Sequence, residues 1–236
     1  MTSRVNHFIT PAMKLIYFGV RGRVETARLM LELTKTPYEF EAVPLESWLE
    51  MKPKMLERTP LGQLPVLEDG AFTLCQSAAI NRYLARKLGL AGATIEEEAW
   101  IDEIAETAGD LIFHAAMLNW NPQFAEVRAK NREEMQTRLR NLDNFFERTA
   151  ANAEFWIAPG KYTLADVLMA FALETLLPLH PGLVESFPKL YHFMKAFFSA
   201  DGVREYVRSD RRSKTWTIPN AFFAGKPEET HQWTAD

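Results

Sequence analysis

The stretch TPLGQLPVLEDGAFTLCQS, positions 59–77, decides the fold. It holds two short β-rich runs, LPVLE (64–68) and FTLC (72–75), joined by Asp69-Gly70, a strong hairpin signal. Pro65 stands at the start of the first run, where a proline costs a ladder hydrogen bond. It is accommodated there if the Leu64–Pro65 bond is cis and the Leu64 backbone is turned outward to pair with something else. Gln76-Ser77 follows at the junction of strand and helix. The serine hydroxyl and the first-turn N–H groups point the same way there, which suits a carboxylate. Taken singly, Ser77 is an ordinary N-cap and Pro65 an ordinary edge proline; taken together at this spacing they favour a binding site.

Reading outward from that stretch, KLIYF (14–18) is a short apolar strand and GVRGR (19–23) a glycine-bearing turn. Val24, Ala27 and Leu31 follow helical spacing until Pro37 ends the run. YEFEAV (38–43) alternates as a second strand, and SWLEMKPKMLER (47–58) reads as a short helix broken at Pro53. On the other side, SAAINRYLARKLGL (77–90) is a helix closed by Gly89. The order is β-α-β-α-β-β-α. The first two strands demand a right-handed parallel crossover and the last two an antiparallel hairpin. A four-stranded mixed sheet covered by three helices follows, a complete α/β domain over residues 13–90.

The character changes after Gly92, beyond which no convincing strand is found. Ile101, Ile104, Ala105, Ala108, Leu111, Ile112 and Ala115 form one helical stripe, with Asp102, Glu106 and Asp110 on a polar stripe beside it. Residues 128–149 form another amphipathic helix. Thr163 and Asp166 make a capping box for a helix apolar nearly all round, which belongs at the centre of a bundle. Two short helices are expected near 187–199 and 201–208. The fold class is therefore α/β followed by all-α: a polar arm at 1–12, the sheet domain at 13–90, an all-helical domain at 95–209 and a tail at 210–236 carrying Trp216, Phe222, Phe223 and Trp233.

Of the 236 residues 47% are hydrophobic and 25% charged, enough to bury a core and too apolar for wholesale disorder. The net charge of -4 argues against a nucleic-acid partner, and the basic stretch at 204–214 reads as a solvated terminus. The longest apolar region, 164–179, is interrupted by Asp166 and Glu174, so no membrane span is expected. The N-terminus lacks the apolar core of a secretory signal. The single cysteine, Cys75, excludes an internal disulfide and a CxxC site. The five histidines have no metal-ligand spacing, and no metal is expected. Dinucleotide, P-loop, zinc-protease and hydrolase-elbow motifs are absent from the sequence. A cytoplasmic protein is the default.

The motifs KLIYFGVRGRVETARLML, PLGQLPVLEDG, LCQSAAINRYL and YTLADVLMA resemble the cytosolic glutathione transferases, over roughly residues 13–208. That family pairs a thioredoxin-like N-terminal domain with an all-helical one. The pattern YF-x-x-RGR-x-E-x-x-R is most similar to the sigma class and its tyrosine-using relatives. The resemblance implies that Tyr17 is the catalytic tyrosine, its hydroxyl donating to the glutathione sulfur, with Arg23 beside it to stabilise the thiolate or lower the tyrosine pKa. It implies that Gln76 and Ser77 hold the γ-glutamyl end, that the Leu64 backbone before Pro65 pairs with the cysteinyl backbone, and that Trp48 and Lys52 bind the glycyl end. Gln63 stands where many sigma-like members carry lysine, so it hydrogen-bonds the glycyl carboxylate without charge. Asp110 matches the family acid that reaches the γ-glutamyl amine across a dimer interface, or else belongs to the solvated stripe of Asp102 and Glu106.

The second-substrate pocket is expected from the 19–22 turn and from Phe113, His114, Met117 and Trp120; the tail aromatics either fold over that pocket or staple the C-terminus to the body. Each residue also has an ordinary structural reading: a core tyrosine at 17, solvated cations at 23 and 52, and helix packing for the aromatics. Cysteine-using relatives place their nucleophile near the first strand, where this chain has Tyr17, so Cys75 reads as a structural thiol. The implied activity is conjugation of glutathione, the co-substrate, to hydrophobic electrophiles by a homodimer. The alternatives are a glutathione-dependent isomerase of the prostaglandin D synthase type, or a non-catalytic, crystallin-like member of the fold.

Overall fold

The computed structural model describes residues 13–59 and 61–234; the arm expected at 1–12 lies outside the described residues. The chain opens with β1 (Met13–Phe18), a 3-10 turn (Gly22–Val24), α1 (Glu25–Leu33), β2 (Glu39–Val43), α2 (Trp48–Arg58), β3 (Val66–Asp69), β4 (Phe72–Cys75) and α3 (Ser77–Lys87). The sheet order is β2-β1-β3-β4. β1 and β2 run parallel, with Tyr17 opposite Ala42, while β1–β3 and β3–β4 are antiparallel. Asp69-Gly70 makes the hairpin, with Gly70 at φ 60°, a left-handed backbone that glycine adopts without Cβ strain. The Leu64–Pro65 bond is cis.

The two-residue period of β1 divides its side chains between two cores. Ile16 packs with Val43, Met55 and Val66 beneath α2. Leu15 and Tyr17 face the other way, into the large core shared with α1, α3 and the helical bundle. α2 runs unbroken through Pro53, contrary to the expectation of a broken helix. That proline is exposed, and losing one N–H there does not end the helix.

The remainder is helical: α4 (Ile95–Asn119), α5 (Phe124–Thr149), α6 (Leu164–Leu179), a 3-10 turn (Val184–Ser186), α7 (Pro188–Phe198) and α8 (Val203–Val207). α6 is the axis of the bundle, buried on nearly every face, as its apolar sequence demands. Its capping box is formed. Asp166 accepts from the Thr163 N–H and hydroxyl and from the Trp156 N–H, each at 2.7 Å. α5 begins at Phe124, earlier than the sequence pattern suggested.

Within the basic stretch at 204–214, Arg204, Arg208, Arg211 and Lys214 are exposed as expected, but Arg212 is not. Arg212 is 2% exposed and lies between Glu25 of α1 and Glu174 of α6. Arg211 pairs with Glu32 and Arg204 with Glu205. Apolar periodicity reports which face of a helix is buried, but it is silent on a cation buried between two carboxylates contributed by distant helices.

Candidate functional site

Tyr17 is the fifth residue of β1, and only 9% of its surface is exposed. Its hydroxyl meets the turn that follows the strand, where the Arg23 backbone N–H donates to it at 3.3 Å. Gly22 lies against the same atom. A Cβ placed at Gly22 would stand 2.8 Å from the Tyr17 hydroxyl oxygen, and φ there is +39°. The turn and the phenol are thus built around one another. Burial pushes the Tyr17 phenol above its ordinary pKa, while the Arg23 N–H and the Arg23 charge pull the other way. The balance keeps the group protonated at neutral pH, so it is a hydrogen-bond donor and not a base.

The N-terminus of α3 forms the second part of the site. No side chain caps it, so its first-turn N–H groups remain available to an anion. Gln76 immediately before it has φ 74° and ψ 113°, a strained conformation for a residue with a Cβ. Its exposed side chain donates to Gln63 Oε1 at 2.8 Å, which ties the two sequence-predicted glutamines together. Ser77 is half-buried. A cleft of about 220 Å³ joins these parts, lined by Gly22 and Arg23 on one side, Ser77 and Asn81 of α3 on another, and Phe113 of α4. Trp216 from the tail also lines it.

Trp48 lies edge-on to Phe18, with ring centroids 5.5 Å apart, and anchors the start of α2. Lys52, one turn later, is exposed. On α4, Asp102 and Glu106 both pair with Arg82 of α3. Asp110 is exposed and has no ion-pair partner among the described residues. The three acids expected to share one stripe therefore divide two to one.

Comparison with known proteins matches residues 13–86 to the family described as "Glutathione S-transferase, N-terminal domain", and residues 108–201 to "Glutathione S-transferase, C-terminal domain". Human "Glutathione S-transferase Mu 1" is 30% identical over 207 residues, 84% of this chain and 92% of that protein. The chain belongs to the cytosolic glutathione S-transferase family. The mouse "Hematopoietic prostaglandin D synthase" is 31% identical over 76% of this chain and 87% of its own. "Glutathione S-transferase 4" of Caenorhabditis elegans is 46% identical over 103 residues, so the chain spans about half the length of that relative, 48%. Among solved structures, the Pi-class glutathione S-transferase of Onchocerca volvulus superposes with a TM-score of 0.76 at 26% identity, over 83% of this chain and 91% of that one. The family's reaction, joining glutathione to an electrophile, is the reaction of this transferase.

Of the second-substrate residues expected in this glutathione S-transferase, Phe113 lines the cleft and is 52% exposed. Met117 and Trp120 continue the same exposed face of α4 at 57% and 41%. His114 lies on another face, 2.9 Å from the Arg138 guanidinium of α5. Two tail aromatics lie in different places. Trp216 reaches the cleft, while Trp233 stacks on Phe198 and donates to Glu174. Gly22 and Trp216 belong to the turn and the tail considered for the pocket from the sequence, whereas Asn81 was missed as a cleft residue; one turn beyond Ser77, its helical spacing was the only pointer.

No helix among the described residues is long and apolar enough to cross a membrane, and no group of three or more potential metal-ligating side chains is found among them.

Proposed function

We propose that Tyr17 supplies the hydrogen bond that stabilises the glutathione thiolate and that the tripeptide lies from the N-terminus of α3 towards α2. The observation that carries this reading is the cleft shared by Ser77, at the open end of α3, and by Gly22 and Arg23, in the turn whose Arg23 N–H meets the Tyr17 hydroxyl. The γ-glutamyl carboxylate is held by the Ser77 hydroxyl and first-turn N–H groups, with Gln76 beside it. The Leu64 backbone, ahead of Pro65, pairs with the cysteinyl backbone. Trp48, Lys52 and Gln63 receive the glycyl end.

A free thiol titrates near ~8.5, so about 3% is ionised at pH 7; lowering the pKa by two units raises this to roughly three-quarters and requires about 2.7 kcal/mol of preference for the anion. One charge-assisted hydrogen bond supplies about 1.5–3 kcal/mol. The thiol proton leaves to solvent, the phenol keeps its own, and a sulfur lone pair forms the new bond to the electrophile as its leaving group departs. The Arg23 charge, exposed at the rim of the cleft, favours the thiolate further. Phe113, Met117, Trp120 and Trp216 supply the apolar and aromatic surface for a hydrophobic acceptor. The turn of His114 towards α5 argues for leaving it out of that surface.

The test is Tyr17→Phe, assayed with chlorodinitrobenzene. The variant is expected to lose about 10²-fold in kcat and to titrate its bound glutathione near the free-thiol value. A variant with the parent's rate and thiol pKa overturns the catalytic assignment. A parent with neither turnover nor glutathione binding would instead point to a crystallin-like role.

The sigma-like class, a cytoplasmic location and a homodimer complete the reading. Exposed Leu49, Leu56 and Leu61 around α2, together with the unpaired Asp110 on α4, support a second copy that covers these surfaces; sedimentation as a monomer at micromolar concentration contradicts it. The likeness to the mouse prostaglandin D synthase favours one further reading, a glutathione-dependent isomerisation on the same thiolate. Assay with a prostaglandin endoperoxide decides it.

A further inference from the structure

The tail from Ser209 to Trp233 closes on the catalytic turn itself. The backbone N–H of Arg21 donates to the Thr215 carbonyl at 2.9 Å, and that of Gly22 to the Trp216 carbonyl at 2.8 Å. The Arg21 side chain, 2% exposed, spends its donors on the same segment: Ser213 O at 2.9 Å, His231 O at 2.8 Å and Gln232 Oε1 at 3.2 Å. The tail is in turn fixed by Arg212, which donates to Glu25 at 2.7 Å and forks onto both oxygens of Glu174 at 2.8 and 2.7 Å. Burial opposes the Arg212 charge, but Glu174 and Glu25 outweigh it and hold its pKa above the ordinary value. Glu25 opens α1, two residues after Arg23, and Glu174 belongs to α6. One cation therefore ties the tail to both halves of the molecule, directly behind the turn whose next N–H touches the Tyr17 hydroxyl.

We infer that the tail is a strap that positions the tyrosine's turn, and that Arg212 is a positioning residue for the transferase reaction. The inference rests on the reading of Tyr17 as the catalytic donor. The physical argument is one of restraint. A turn of five residues holding a glycine at positive φ has little rigidity of its own. Two backbone hydrogen bonds and a buried arginine pin it to a segment that is itself clamped. The strap thereby sets the distance between the Arg23 N–H and the phenol, and so the direction in which the phenol proton points. Arg212 is buried and does not line the cleft; it acts through Glu25 and the turn.

The variant that tests this is Arg212→Lys, which keeps the charge and loses the two-sided fork, compared with the double variant Gln232→Ala/Trp233→Phe, which loosens the far end of the strap. Both are expected to keep KM for glutathione within about two-fold, because the tripeptide's own contacts lie on α3 and α2. Both are expected to lower kcat about ten-fold and to move the acidic limb of the kcat/KM profile upward by about one pH unit, as a misdirected donor stabilises the thiolate less. A folded variant that keeps the parent's profile overturns the proposal. So does a loss of rate that merely tracks the folded fraction, with the limb unmoved.

Should Arg212→Lys fail to fold, hydrogen exchange on the parent decides. The amides of Arg21 and Gly22 are expected to exchange as slowly as the Thr217 amide within the tail, and free exchange at Arg21 and Gly22 overturns the strap. Tyr17→Phe is run alongside. If it keeps the parent's rate, the donor reading fails; if it is inactive while the strap variants are unchanged, the strap alone fails.

Discussion

Gly22→Ala is the sharpest probe of the site. The added methyl would stand 2.8 Å from the Tyr17 hydroxyl oxygen and 3.0 Å from a ring carbon, where ordinary contact begins at 3.4 Å, so the phenol or the turn must give by about 0.6 Å. The backbone adds its own cost, because φ is +39° and an L side chain in the left-handed region loses about 1–2 kcal/mol. Together these predict a destabilisation of about 1–3 kcal/mol, a fall of roughly 3–10 °C in Tm for a chain of this size. The catalytic cost follows from the displacement. A 1 Å misplacement is worth about 10²-fold, so 0.6 Å predicts a loss of about 15-fold in kcat/KM, or about 1.6 kcal/mol. Steady-state kinetics with chlorodinitrobenzene and a thermal melt on the same preparation measure both. The same substitution in a Tyr17→Phe background should cost little further activity, since the displaced hydroxyl is already gone. A Gly22→Ala protein with the parent's kcat/KM and Tm refutes the reasoning. A loss of activity just as large in the phenylalanine background would refute the route through the hydroxyl.

Ser77→Ala should raise KM for glutathione about ten-fold and leave kcat nearly unchanged, because a hydrogen bond to a charged group is worth about 1.5 kcal/mol in binding; an unaltered KM removes Ser77 from the tripeptide site. Asp166→Ala leaves the buried Trp156 and Thr163 N–H groups without acceptors and should destabilise the fold by about 2–4 kcal/mol, seen as a lower denaturant midpoint. His180, buried against Asn131 and close to Arg128 and Arg132, has its pKa pushed down to about 4, first by burial and then by those charges. The folded state holds it neutral while the unfolded chain binds a proton near 6.5. Its contribution, on the order of 2 kcal/mol, is therefore complete above pH 6.5 and lost as pH falls towards 4. Denaturation at pH 7.5 and 4.5 should show a steeper loss for the parent than for His180→Gln; equal losses contradict the assignment.

The chain order of strands and helices, the hairpin at Asp69-Gly70 and the buried axis of α6 were all legible in the residues, because each depends on local conformational preference or on a periodicity that one segment carries alone. The candidate site was partly legible for the same reason. Tyr17 lies near the end of a strand and Ser77 begins a helix. What local pattern cannot carry is a contact between distant segments. Asp102 and Glu106 differ from Asp110 only in having Arg82 across from them on α3. His114 leaves the cleft because Arg138 lies on α5.

The tail shows the division most clearly. Its sequence from position 204 is dense in arginine and polar residues, a composition that reads as a hydrated end. A buried arginine is stable only where opposite charges and acceptors meet it with good geometry. Those acceptors, Glu25 and Glu174, lie 187 and 38 residues away along the chain. The residues alone settled which segments fold as strands and helices and which chemistry they bring. Only the tertiary structure decided that Arg212 is buried and that the tail lies on the turn beside Tyr17, because those outcomes are set by the convergence of distant charges and backbone groups, which no single segment encodes.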